Sequence, residues 1–140
     1  TDAPVIINNT FYEILIKSPY LGMESLIFTL LLSPLTMLSL EIYGRTNFGG
    51  GALDTATFDI ENILLLNPKA ISETAQNDLI KIGKSLWNQP FLPAVQMFQL
   101  PEFQKFTQLL LRQLPIIISY ESLIKAIIDT QNLRIHRKSA

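Results

Sequence analysis

The stretch "SLIFTLLLSPLTMLSL", residues 25–40, decides how the N-terminal half of this chain folds, because its sixteen uncharged residues carry a proline near their centre. Serine caps the free amide groups at the start of a helix, and proline at the first helical position gives up no hydrogen bond. Ser33 and Pro34 therefore form a helix start signal inside the apolar run. The pattern predicts two helices, residues 21–32 and 34–43, rather than one.

The same run is shorter than a membrane-spanning helix, which needs about 20 predominantly apolar residues. Glu24 and Glu41 bracket it. Small hydroxyl side chains recur in it at steps of three or four, which places them in one helical seam: Ser25, Thr29, Ser33, Thr36 and Ser39. We therefore expect no membrane-spanning segment. We also expect no signal peptide, because no basic region followed by an apolar core precedes this run.

The composition is that of one apolar domain. The 140 residues suffice for a single core, and because the chain begins at Thr1 we expect a piece of a longer protein. Hydrophobic residues make up 48% and charged residues 16%, against about 25% charged in typical domains. Some apolar surface should therefore meet something outside this chain. Without cysteine, neither a disulfide framework nor a cysteine-based zinc cluster is possible.

The charge balance argues against a free-standing nucleic-acid binder. The formal net charge is −1 at pH 7, so the chain lacks the basic excess of many such proteins. If this chain touches DNA, we expect charge elsewhere to carry much of the phosphate binding.

Segments rich in β-branched residues predict strands on either side of the apolar run. Residues 5–16, "VIINNTFYEILI", predict one or two strands, and residues 63–66 predict a buried strand that ends at Asn67 and Pro68. The fold class predicted is α+β, with a small mixed sheet of two to three strands flanked by helices and a mostly helical C-terminal half. We expect an exposed sheet edge to allow self-association of the isolated piece.

The second half of the chain shows helical periodicity. In "ETAQNDLIKIGKSL" the residues Leu79, Ile82 and Leu86 share one face, and "PEFQKFTQLLLRQL" repeats this spacing. Ser119 and Ser122 are candidate caps for the last helix. The organisation predicted is one domain in two parts, residues 1–68 and 69–133, followed by a frayed basic tail at residues 134–140.

The glycine-rich stretch "GRTNFGGGALD", residues 44–54, follows the second predicted helix directly. Gly44 stands where a left-handed helix cap is expected. The stretch lacks the G-x-x-x-x-G-K-[ST] pattern, and it follows a helix where a dinucleotide-binding turn follows a strand. On local pattern it is a helix-to-strand connection and no nucleotide-phosphate site.

No other motif composes a catalytic or metal site. "KSPY", residues 17–20, and "NQPF", residues 88–91, look like the Asn-Pro-Pro-aromatic motif of amino-methylating enzymes, but each lacks a proline and we expect turns. His136 is the single histidine and lies in the predicted tail, so we expect no triad or metal ligand there. The sequence predicts no catalytic residue and no metal site.

Together, several motifs in the first half of the chain resemble the C-terminal, target-recognition region of adenine-specific DNA methyltransferases of restriction-modification systems. In that family an "NNTFY"-like strand leads to a Leu-rich helix, a break before proline, a helix ending in "GR", a "GGGAL" turn and a segment ending at proline. The matching residues here are Asn8, Asn9, Phe11, Tyr12, Leu32, Ser33, Pro34, residues 44–53, Asp59, Ile60, Ile63 and Pro68.

The resemblance implies a cytoplasmic parent enzyme, either a DNA methyltransferase or a fused restriction-methylation enzyme. Such an enzyme moves a methyl group from S-adenosylmethionine to an adenine flipped out of double-stranded DNA. The cofactor-binding F-x-G-x-G-type motif and the Asn/Asp-Pro-Pro-aromatic motif of that family are missing from this sequence. We therefore expect a non-catalytic DNA-recognition portion without a cofactor of its own. Its implied partners are double-stranded DNA and the upstream catalytic domain.

The glycine-rich stretch supplies the candidate DNA-binding residues. Arg45 and Asn47 are the residue types that read guanine and adenine edges, while Thr46 and the amides of Gly49, Gly50 and Gly51 suit backbone contacts. The alternative is structural: these residues fix the loop, with Arg45 paired to a buried carboxylate or to carbonyls at the helix end. A second interpretation of the whole chain is a helical protein-interaction scaffold with no direct DNA contact.

Overall fold

The computed structural model describes residues 14–48, 52–54, 60–88, 90 and 92–136, with the backbone alone for 45–48, 52–54, Trp87 and His136. Within these ranges the chain is helical, with one short hairpin. The helices are α1 Glu24–Leu31, α2 Pro34–Tyr43, α3 Glu73–Trp87, α4 Ala94–Met97, α5 Pro101–Leu111 and α6 Tyr120–His136. The hairpin strands are β1 Arg45–Phe48 and β2 Ala52–Asp54, and a 3-10 turn spans Pro68–Ala70.

The predicted helix break at Ser33 and Pro34 is confirmed. Ser33 has an extended backbone, and its Oγ accepts a hydrogen bond from the Thr36 amide at 3.4 Å, with Pro34 in the first turn of α2. Among the described residues, no single helix is long and apolar enough to cross a membrane. Taken together α1 and α2 have the length and composition to do so, but they are bent by 59° at their junction.

Four members of the hydroxyl seam lie in the interior and are hydrogen-bonded, namely Thr29, Ser33, Thr36 and Ser39, whereas Ser25 is exposed. The Thr29 hydroxyl donates to the Ser25 carbonyl at 2.7 Å, and that of Thr36 donates across the helix break to the Leu30 carbonyl at 2.9 Å. Ser39 Oγ accepts from the amide of Leu64 at 2.8 Å. Buried hydroxyls without partners are costly, so these bonds make a polar seam compatible with a core position. They also tie the segment around Leu64 to α2.

The core consists of two clusters that share α5. The first cluster joins α1, α3 and α5 and contains Leu26, Leu30, Ile71, Ala75, Leu79, Phe106 and Leu110. The second joins α5 to α6, with apolar residues of α2 packed against it, and contains Phe98, Phe103, Leu111, Leu123, Ile124 and Ile127. Phe103 and Phe106 stand three residues apart on α5 and serve different clusters. The helix is therefore buried from two sides.

Helices α2 and α6 run in the same direction. Leu35 and Leu38, in the first half of α2, pack against the second cluster, to which the first half of α6 contributes. In the last turns, Arg134 of α6 donates from Nε to Glu41 Oε2 at 2.7 Å and from a second nitrogen to Oε1 at 3.0 Å. The C-terminal ends of α2 and α6 therefore lie together.

The expected α+β fold is wrong, because the described chain is helical and has no mixed sheet for helices to flank. Residues 63–66, predicted as a buried strand, form an irregular segment in which the amide of Leu64 bonds a serine hydroxyl instead of a neighbouring strand. A short apolar run satisfies either structure, and its pattern does not distinguish them. The strands predicted for residues 5–16 lie mostly outside the described residues, and residues 14–16 are not extended into a ladder.

The predicted apolar face of α3 and the predicted cap of α6 are confirmed. The face of Leu79, Ile82 and Leu86 on α3 packs into the core, and Ser119 Oγ accepts from the Ser122 amide at 3.1 Å, so Ser119 is the cap.

Gly44, in contrast, is extended with φ of −66°, so the left-handed cap expected there is wrong. A positive φ of 84° occurs at Gly22. Helix α6 continues through His136, so the first three residues of the expected frayed tail are helical.

The ion pair between Glu41 and Arg134 is a test of this packing. Their side chains are only 8% and 16% exposed, so Arg134→Met leaves a carboxylate with little access to water. We expect the free energy of unfolding in urea to fall by on the order of 3 kcal/mol. The matched control is Lys125→Met, because Lys125 pairs with Asp129 on the surface of α6 with exposures of 75% and 54%. That change should cost below about 1 kcal/mol. Equal losses in the two variants would contradict the packing of α2 on α6.

Tyr120, at the start of α6, gives a pH-dependent test. Its hydroxyl donates to the carbonyl of Phe98, and burial, followed by the nearby Glu121 carboxylate, raises the pKa of Tyr120 above 10.0. Because the pKa is higher in the folded state, the stability from this group is complete below pH 10.0 and is lost as the pH rises through the folded pKa. Absorbance titration at 295 nm should show one late-titrating tyrosine that Tyr120→Phe removes. A titration unchanged by Tyr120→Phe contradicts this placement.

Candidate functional site

The structure places three of the six candidate DNA-binding residues on the hairpin that follows α2. Arg45, Thr46 and Asn47 are consecutive on β1. The candidates Gly49, Gly50 and Gly51 connect β1 to β2 in the sequence and lie outside the described residues. The strands pair antiparallel, with Arg45 opposite Asp54 and Phe48 opposite Ala52. Arg45 to Asn47 are therefore adjacent along one strand of a two-stranded ribbon.

A single residue separates α2 from the hairpin. Gly44 leaves the helical conformation with ψ of 152°, while its amide still donates to the Leu40 carbonyl at 2.7 Å. Arg45 begins β1 immediately afterwards. With so short a connection, the direction of β1 is set by the backbone angles of Gly44 and by the position of α2. A site on such an element is better positioned than one on a long loop.

The Glu41–Arg134 ion pair holds the helix end from which the hairpin departs. A carboxylate in the last turn of a helix faces the negative end of the helix dipole, which is unfavourable by itself. Arg134 offsets this charge with two hydrogen bonds, and the planar guanidinium fits both carboxylate oxygens. Both oxygens of Glu41 are thus engaged. In the structural alternative for Arg45, the acidic residue opposite it in the backbone register is Asp54.

The same end of the molecule carries exposed apolar side chains. Ile42 and Tyr43 precede the hairpin at the end of α2, and Leu133 and Ile135 flank Arg134 on α6. All four are exposed by 43% or more, although Glu41 and Arg134 beside them are largely shielded. The hairpin base therefore stands next to apolar surface that the described residues of this chain do not cover. Isolated exposed apolar residues are ordinary, whereas several at one place indicate a contact surface.

The two methyltransferase-like tetrapeptides do not form a base-binding site in the described residues. "KSPY" is a turn, as expected: the Tyr20 amide donates to the Lys17 carbonyl at 2.9 Å. The ring of Tyr20 is covered by Lys69, whose Nζ lies 5.6 Å from the ring centroid. In "NQPF", Asn88 is the C-terminal cap of α3, and Gln89 and Phe91 lie outside the described residues.

Sequence reasoning missed the Glu41–Arg134 pair. The partners are 93 residues apart, and neither belongs to a recognisable motif. One local signal was present: Glu41 is the charge that closes a long uncharged run, so its helix places it beside the core. Its partner could not be identified without knowing that α2 and α6 run parallel.

Across the part of the chain that the structure describes, no three histidine or acidic side chains come together as a metal site would require. The methyltransferase resemblance rests on the quoted motifs alone. No family model, no curated protein and no solved structure matches this chain.

Proposed function

We propose that this chain is the non-catalytic DNA-recognition portion of an S-adenosylmethionine-dependent, adenine-specific DNA methyltransferase, and that the β1–β2 hairpin is its DNA-contacting element. The observation that carries the proposal is the direct passage from α2 into β1, with Arg45 and Asn47 on the strand. This part of the chain is also the segment with the most specific resemblance to the family.

The geometry of the hairpin suits a DNA groove. The major groove of B-form DNA admits a two-stranded ribbon, and arginine and asparagine read guanine and adenine there. A ribbon whose strands have four and three residues presents only a few side chains, so it would contact two or three base pairs. Further bases would be read by the rest of the parent enzyme.

The charge of the chain limits what this portion does alone. With a formal net charge of −1 and Arg134 engaged by Glu41, the described chain offers few cations for phosphate groups near the hairpin. We therefore propose weak, salt-sensitive binding by this portion, with the upstream catalytic domain supplying most of the phosphate contacts. The exposed apolar residues at the hairpin base are suited to packing against that domain.

The second candidate function is a helical interaction domain without DNA contact. It is favoured by the segment between α5 and α6, where Ile116 is 60% exposed and Ile117 is fully exposed after Pro115. Two adjacent isoleucines in water are a contact surface for another protein rather than for DNA. In this candidate the hairpin would be structural, and association would depend on the isoleucines.

Substitution of Arg45 tests the DNA proposal. Arg45→Ala should weaken binding to a mixed-sequence duplex by at least about tenfold and reduce the slope of log affinity against log salt by about 1. The matched control is Arg112→Ala, which removes the same side chain from an exposed position at the end of α5. The measurement is fluorescence anisotropy at several salt concentrations. Equal effects of Arg45→Ala and Arg112→Ala would contradict the hairpin as the contacting element.

A double substitution separates the two candidates. Ile116→Ser with Ile117→Ser should leave DNA affinity within about twofold, because both side chains are already in water and do not belong to the hairpin. The interaction-domain candidate instead requires that Arg45→Ala has no effect and that the double substitution abolishes binding to a partner protein. Anisotropy with DNA and sedimentation with the catalytic domain of the parent enzyme measure the two outcomes.

A further inference from the structure

A pocket unrelated to the hairpin lies between the two core clusters, with a volume of ≈ 270 Å³. Its walls include Phe106 of the first cluster and Phe103 of the second, together with Met37 of α2 and Leu86 of α3. Protein interiors are close-packed, and voids much larger than a water molecule are few. An opening of this size at the junction of both clusters is therefore an unusual feature of the core.

The chemistry of the walls defines what the pocket accepts. Among the described lining residues no side chain is charged, and the one polar side chain is that of Thr29. The Thr29 hydroxyl already donates to the Ser25 carbonyl at 2.7 Å. A charged or strongly hydrogen-bonding ligand would lose its water and gain no partner here. Apolar cavities of comparable kind stay dry and bind hydrocarbons and aromatic molecules.

The mouth of the pocket leads to solvent. Phe28 of α1 lines it and is 52% exposed, and Pro90 and Leu92 lie on the segment that joins α3 to α4. Met37 and Met97 are unbranched and adjust to ligands of different shape. The exposure of Phe28 therefore indicates that a small molecule can reach the pocket from the side of α1.

We propose that this pocket is a binding site for a small, uncharged aromatic or aliphatic molecule of at most three rings. The size limits the occupant, because ligand pockets for larger organic molecules range from about 300 to 1,000 Å³. Because no charged side chain lies in the described walls, carboxylates, phosphates and protonated amines fall outside the proposed ligand class. The site is independent of DNA recognition and persists if the hairpin has no role in it.

Two fluorescent probes with the same ring system test the proposal. N-phenyl-1-naphthylamine is uncharged and brightens in apolar surroundings, and 1-anilinonaphthalene-8-sulfonate adds one sulfonate. The intact 140-residue chain is titrated with each probe, and naphthalene serves as competitor. We expect saturable binding of one molecule of the uncharged probe per chain, displacement by naphthalene, and at least about tenfold weaker binding of the sulfonate.

Substitutions at Gly83 locate the binding. Gly83 lines the pocket from α3, and both alanine and leucine are better helix formers than glycine. Gly83→Leu places a branched side chain in the pocket and should weaken binding of the uncharged probe by at least about tenfold, whereas the matched Gly83→Ala should retain it. Met97→Gln keeps the side-chain length, adds an amide to the wall and should also weaken binding. Circular dichroism melting confirms that each variant is folded.

One set of binding results supports the proposed site, and another overturns it. Selective binding of the uncharged probe that is lost in folded Gly83→Leu or Met97→Gln supports the site. Absence of saturable binding, equal binding of both probes, or binding unchanged in both folded variants overturns it.

Discussion

A proline without an amide hydrogen, in the middle of an apolar run, is the constraint on which the described structure depends. Pro34 cannot continue α1, and Ser33 caps the new helix, so the run becomes two helices with a 59° bend. Each helix then enters a different core cluster: α1 packs with α3 and α5, and α2 packs with α6. Helix α5 lies between the clusters and contributes to both. The hydroxyls at the bend are satisfied by Leu30 and by each other, which makes the break compatible with burial.

The placement of the hairpin is a consequence of the same bend. Because α2 lies along α6 in the same direction, the last turns of the two helices are adjacent. Glu41 and Arg134 form a shielded, bidentate ion pair there. After Gly44, whose backbone is extended, β1 begins directly. A short hairpin alone is only marginally stable in water, so the helix end that carries it must contribute to its stability. Catalytic chemistry is not needed for this arrangement, which is consistent with a recognition portion that depends on a separate catalytic domain.

Features governed by neighbouring residues could be predicted from the sequence, and features governed by distant contacts could not. The break at Ser33, the face of Leu79 on α3 and the cap at Ser119 all follow from local capping and periodicity. The strand predicted for residues 63–66 is wrong. A strand needs a neighbouring strand as hydrogen-bond partner, whereas here the amide of Leu64 donates to the hydroxyl of Ser39 on α2. The backbone of Gly44 is extended because β1 follows at once, a context that the glycine alone does not specify. The sequence alone predicts a frayed tail that begins at Arg134. It does not show that α6 packs on α2, where Arg134 pairs with Glu41.

We propose that DNA is bound by the hairpin held at the joined ends of α2 and α6. Amide hydrogen exchange of the 140-residue chain, with and without a saturating duplex, tests it most directly. We expect added protection in residues 44–54 and in the last turn of α6, with little change in α3 and α5. Protection confined to residues 112–120, or no DNA-dependent change in the hairpin at a duplex concentration that saturates binding, would contradict it.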